Sequence, residues 1–157
     1  DYAYLGGYER WMTSDTGLQI GKTLSFDYAL VPHEEDWKKA EIYRDGQEFI
    51  NPLICHKSSV HKGRLPQNWS MLEVSHPNVI VTAVKPGPGG SAIVRLYEAS
   101  GNATAGVTIK CRTTIKSVHE ADLLEDTVRA LKFDRNSVRF DLGPFEIKTL
   151  RLQLKTV

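Results

Sequence analysis

The chain has 157 residues, 41% of them hydrophobic and 25% charged, and its 20 Lys and Arg against 19 Asp and Glu leave a formal charge of +1. Such a length and composition suit one large or two small globular domains with a buried core. The even charge points to no electrostatic grip on nucleic acid or a membrane surface, and no apolar run approaches the ~20 residues that span a bilayer.

The chain opens on Asp1 rather than Met, with Tyr2, Tyr4, Leu5 and Tyr8 close behind and no signal-peptide apolar core. The expectation from this start is a chain cut from, or processed out of, something longer. Thr23–Val31 alternates, with Leu24, Phe26, Tyr28 and Leu30 on one face, and is predicted as a strand. A short helix is predicted near residues 34–45, after Pro32-His33. Glu34, Glu35 and Asp36 crowd its first turn, where carboxylates suit the positive end of the helix dipole. Trp37, Ala40 and Ile42 or Tyr43 supply a narrow apolar stripe before Gly46 weakens it. Pro66–Ser70 reads as loop, and a soft boundary falls between residues 60 and 74.

From Val74 onward short strands and turns follow in close succession. Val79–Val84 is almost wholly apolar and is predicted to be buried on both faces. Pro86–Gly90 must turn, because Pro and Gly together end a ladder. Ala92, Val94 and Leu96 are predicted to face inward opposite Arg95. After a Ser100–Gly106 loop, Ala105, Val107, Ile109 and Cys111 form the next inward row. Asp134-Arg135-Asn136 is a hairpin turn into Val138, Phe140 and Leu142. The last strand changes phase: Phe145 and Ile147 lie on one side, Leu150, Leu152 and Leu154 on the other. A β-bulge near Thr149, with burial on parts of both faces, would reconcile the two sets. The fold class is therefore all-β and mainly antiparallel, a β-sandwich with one short helix. Residues 1–73 are assigned to the end of one larger β-sandwich module that includes the helix, and residues 74–157 to a small C-terminal sandwich.

Candidate chemistry is sparse. Two cysteines, Cys55 and Cys111, are too few for a disulfide framework; a bridge between them stays open, while Cys111 reads as a small buried hydrophobe. Five histidines (His33, His56, His61, His76 and His119) have no metal-ligand spacing, so no metal residue is assigned. Glycoside hydrolysis needs two carboxylates ~5–10 Å apart, and Glu34, Glu35, Asp36, Asp122, Glu125 and Asp126 are available. The first three are already explained by the helix start. Asp122 and Glu125 bracket Leu123-Leu124 as the edge of a strand with buried leucines, their carboxylates free to bind nearby backbone or a partner domain. No catalytic residue is assigned. Trp37 and Trp69 are the weak candidates for stacking on a sugar ring. The sequons at Asn68 and Asn102 matter only in a eukaryotic secretory compartment, so localisation stays open with a lean toward the cytoplasm.

Phe26–His33 (FDYALVPH), Ser75–Lys85 (SHPNVIVTAVK), Val94–Gly101 (VRLYEASG), Asp122–Glu125 (DLLE) and Pro144–Leu154 (PFEIKTLRLQL), in this order, resemble the C-terminal region of the glycoside hydrolase family 38 α-mannosidases. The likeness covers most of residues 23–154 and is nearer the bacterial and cytosolic-type branch. The resemblance implies a non-catalytic β-rich region that packs on the catalytic and helical domains of the same enzyme. The zinc and the aspartate nucleophile of a retaining mechanism would lie in an N-terminal barrel domain whose motifs this sequence lacks. Mannose-containing oligosaccharide would meet the chain only through the full enzyme, with no nucleic acid or membrane partner and a homo-oligomer left open. The alternative is an autonomous carbohydrate-binding or structural interaction sandwich.

Overall fold

Alternating apolar residues along Ala92–Glu98, Thr104–Cys111 and Ser137–Leu142 need two sheets to close over one another, and two antiparallel sheets do so here. A computed structural model describes residues 21 and 23–155, in two units, Asp1–Leu30 and Val31–Val157. Tyr2, Tyr4, Leu5, Tyr8 and Trp11 lie outside the described residues.

In the first unit, the described residues Thr23–Leu30 form no helix and enter no ladder. Phe26 and Tyr28 are 80% and 84% exposed, so the strand predicted over Thr23–Val31 is not formed. Alternation alone does not make a strand, because backbone N–H and C=O groups need a neighbouring strand to pair with.

In the second unit, the short helix α1 is Ile42–Ile50, later than predicted. The Asp36 carboxylate accepts the backbone N–H groups of Lys38 and Lys39 (2.9 and 3.0 Å) and starts a single turn. That turn ends at once: Ile42 N–H bonds the Trp37 carbonyl, Glu41 N–H bonds the Lys38 carbonyl, and Glu41 is left-handed at φ 53°. This Schellman-type stop divides the predicted helix, and α1 restarts beyond it, carrying Gly46 in its interior.

The sandwich consists of β1 (Leu72–Val74), β2 (Val79–Pro86), β3 (Ala92–Glu98), β4 (Thr104–Cys111), β5 (Ile115–Ala121), β6 (Thr127–Ala130), β7 (Phe133–Asp134), β8 (Ser137–Leu142) and β9 (Ile147–Leu154). One sheet has the order β1-β4-β8-β7 and the other β2-β3-β9-β5-β6, all neighbours antiparallel. Val94, Leu96, Val107, Ile109, Val138, Leu150 and Leu152 meet between them, each at most 1% exposed. Burying a Val, Leu or Ile side chain contributes about 1.5–3 kcal/mol, so this row holds the sheets together.

Three local expectations change. β2 is an edge strand, so only Val79 is fully buried and the apolar run is not covered on both faces. Gly106 belongs to β4, not to the loop. At φ 71° it sits in a register shift between Thr104 and Val107, which turns Ala105 outward and Thr104 inward. β9 keeps an unbroken register with β3 from Ile147 to Leu152, so no bulge occurs at Thr149. The bulge is in the partner strand β5, between Ile115 and Ser117. β9 occupies the middle of its sheet, so Lys148, Thr149 and Leu150 are all buried while Phe145 and Ile147 stay exposed.

Candidate functional site

The least expected residue is Glu98, the last of β3. It continues the inward phase of Val94 and Leu96 to the end of the sandwich and is 0% exposed. A buried carboxylate is tolerable only if its lone pairs are filled. One oxygen accepts Asn78 Nδ2 (2.9 Å), Ser100 N–H (2.8 Å) and the Ser100 hydroxyl. The other accepts the N–H groups of Gly101 (2.7 Å), Asn102 (3.1 Å) and Phe145 (3.1 Å). Burial raises the Glu98 pKa, but hydrogen bonds from Ser100, Phe145 and Asn78 outweigh it and hold the pKa at about 2. Glu98 thus pins the 99–102 turn to the 143–146 turn. Gly101 is required at this junction: its φ is 74°, and a Cβ there would stand 2.5 Å from the Phe145 ring. The visible signal was a Glu on the apolar phase of a strand, followed by the small residues of Ala99-Ser100-Gly101-Asn102.

Asp122–Glu125 is a turn rather than a strand edge. Asp122 Oδ1 accepts the N–H groups of Leu124 (2.9 Å) and Asp126 (3.0 Å), which leaves Leu123 and Leu124 exposed rather than buried. Glu125, left-handed at φ 74°, reaches Lys85 (2.6 Å) and Arg95 (3.4 Å), and Arg95 also donates to the Leu123 carbonyl at 3.0 Å. The turn is clamped over the outer face of the five-stranded sheet. Beside the clamp a groove of about 330 Å³ is lined by Thr82, Arg95, Tyr97, Phe145 and Ile147.

A polar hollow of about 270 Å³ lies among Ser91, Ser117, His119, Thr127, Arg151 and Gln153. Its guanidinium is committed, since Arg151 donates to Ser91 Oγ (3.2 Å) and the Pro88 carbonyl (3.0 Å). Inside the sandwich rim, Lys148 is 5% exposed and bridges Glu120 (3.2 Å) and Glu146 (2.6 Å).

These arrangements suit structure rather than acid–base chemistry. A glycosidase acid needs a carboxyl whose pKa is raised. Among the described residues the displaced carboxyls are all lowered. Asp36 is lowered by the Lys39 and Lys38 N–H groups. At Glu120 and Glu146 burial pushes upward, but hydrogen bonds from Arg129 and Lys148 to Glu120, and from Gly143 and Lys148 to Glu146, outweigh it. Among the described residues no three His, Cys, Asp or Glu converge as metal ligands, so the donor set that zinc needs is not found among them. Trp37 meets Tyr43 edge-on at 6.5 Å and lies under Lys38 Nζ at 5.5 Å. Trp69 stands in the stretch before β1. Both are partly exposed. Cys55 is exposed and Cys111 buried, both as free thiols.

Residues 78–150 match the family model described as the glycosyl hydrolases family 38 C-terminal beta sandwich domain. Over 133 residues, 80% of this chain, the sequence is 25% identical to "Alpha-mannosidase G" of Dictyostelium discoideum, and the chain spans 12% of the length of that curated relative. The matched residues run from the turn before β2 into β9, a stretch that includes β2 to β8 and Glu98.

Proposed function

We propose that this chain is the non-catalytic C-terminal β region of a family 38 α-mannosidase of the bacterial and cytosolic-type branch, serving an enzyme that hydrolyses α-mannosidic bonds in mannose-containing glycans. The observation that carries this reading is the coincidence of residues 78–150 with a closed sandwich whose polar side chains are spent on turns and clamps. Residues 1–73, apart from Leu72 and Glu73 that β1 takes into the small sandwich, end a larger β-sandwich module. Zinc and the nucleophilic carboxylate belong to a catalytic domain elsewhere in the longer polypeptide. The chain's own residues supply a rigid body that packs on the catalytic and helical domains. Trp37 and Trp69 offer partly exposed aromatic faces to a sugar only within that assembly.

The test is the activity of the full polypeptide encoded by the same gene. Purified with zinc, it is expected to release p-nitrophenol from p-nitrophenyl α-mannoside. A folded, metal-replete full polypeptide with no such turnover would overturn the reading. Calorimetry of the 157-residue chain with mannose oligosaccharides is a second check. Millimolar or tighter binding that Trp69→Ala or Trp37→Ala abolishes would favour an autonomous carbohydrate-binding module instead.

A further inference from the structure

The two outer faces of the sandwich differ in kind. On the four-stranded sheet Glu73, Lys110, Arg139 and Asp141 point away from the core and are all exposed, as a solvated surface should be. On the five-stranded sheet Tyr97 and Ile147 are directly paired across β3 and β9, and Phe145 lies two residues before Ile147. Ile147 and Phe145 are 57% and 58% exposed, and Leu123 and Leu124 are exposed on the turn held by Arg95, which lines the same groove. The groove of about 330 Å³ runs through this apolar ground.

Phe145 adds an independent observation. Its φ is 56°, a left-handed conformation that a bulky side chain rarely takes, costing on the order of 1–3 kcal/mol. Glu98 holds its N–H at 3.1 Å, so the buried carboxylate network fixes an unfavourable backbone that presents an aromatic ring to the outside. Strain spent on exposing an apolar ring has a structural reason if something covers that ring.

We infer that this face, centred on Tyr97, Phe145 and Ile147, is the seat for an apolar surface of the other domains of the same polypeptide. The inference rests on the reading of the chain as the C-terminal region of a longer enzyme. The length of chain involved supports that occupant, since the described region corresponds to 12% of the mannosidase relative. Lys85 and Arg95 both pair with Glu125 at the border of the groove, so these charges are engaged within the chain. The centre of the seat therefore takes apolar side chains. A tethered domain needs little area to dock, because the linked polypeptide presents its surface at a high effective concentration.

The test compares Ile147→Asp, Ile147→Val and Lys110→Ala in the full polypeptide and in the 157-residue chain. Limited proteolysis and amide exchange of the full polypeptide are the readouts. Ile147→Asp is expected to speed release of the C-terminal region about tenfold or more, the effect of losing ~1.4 kcal/mol of docking. Ile147→Val and Lys110→Ala should match wild type, and the 157-residue chain should keep its Tm in all three. The inference fails if Ile147→Asp and Lys110→Ala behave alike in the full polypeptide, or if Ile147→Asp destabilises the short chain equally. It also fails if the short chain self-associates through this face and Ile147→Asp abolishes that, because a second copy is then the occupant. None of these readouts uses activity. An inactive full polypeptide that still shows the docking effect would refute the functional reading and leave the seat intact.

Discussion

Glu98→Gln tests the buried junction at the end of the sandwich. The substitution keeps size and shape but replaces one oxygen by an amino group. Both Glu98 oxygens face donors alone: Asn78, Ser100 N–H and Ser100 Oγ on one side, and Gly101, Asn102 and Phe145 N–H on the other. Whichever way the amide turns, its N–H groups meet donors. An orphaned buried donor costs about 1–3 kcal/mol. The displacement of the Glu98 pKa from 4.5 to about 2 corresponds to about 3 kcal/mol of preference for the charged form. A loss of about 3–5 kcal/mol near pH 7 follows, which lowers Tm by on the order of 15 °C for a domain of this size.

The sign of the pH dependence is fixed by the lowered folded pKa. The stabilisation is fully present above the unfolded carboxyl's value and is lost as pH falls through about 4.5 toward about 2. Urea unfolding of wild type and Glu98→Gln, followed by far-UV circular dichroism at several pH values, measures the gap. The expected gap is large near neutrality and shrinks steadily on acidification below about pH 4.5. A gap under about 1 kcal/mol at neutral pH, or one that stays constant down to about pH 2.5, would refute the reasoning.

Two further outcomes follow from named contacts. Gly101→Ala and Gly106→Ala both place a Cβ on a positive-φ residue, at about 1 kcal/mol each, but the Gly101 Cβ also meets the Phe145 ring whereas the Gly106 Cβ meets the flexible end of Arg139. Gly101→Ala is expected to be the costlier in thermal melts, and equal costs would contradict the packing described. Thiol titration with an aromatic disulfide should find Cys55 reacting at once and Cys111 only on unfolding, since burial raises the Cys111 thiol pKa. Prompt reaction of both would place Cys111 outside the core.

The antiparallel sandwich was legible because inward rows such as Val107, Ile109 and Cys111, or Val138, Phe140 and Leu142, repeat with period two between Gly- and Asn-containing turns. Errors arose where pairing rather than pattern decides. Apolar Val79–Val84 lies on a sheet edge, and Thr23–Leu30 alternates without a partner among the described residues. The phase conflict of Phe145 and Ile147 against Leu150 and Leu152 was visible, but its resolution was not. β9 lies between β3 and β5, so one face closes the core while the other carries an exposed apolar patch. Glu98 escaped notice because its role depends on donors contributed by Asn78 and Phe145, residues distant in the chain. The Asp122–Glu125 segment was recognisable as a unit, yet its function as a clamp depends on Lys85 and Arg95 from other strands.

The central claim, that this region supports a mannosidase without performing its chemistry, is tested most directly by assaying the purified 157-residue chain with p-nitrophenyl α-mannoside in the presence of zinc. The account predicts a rate indistinguishable from buffer, while the full polypeptide under the same conditions turns over. Hydrolysis by the isolated chain, scaling with its concentration and surviving repurification, would contradict it.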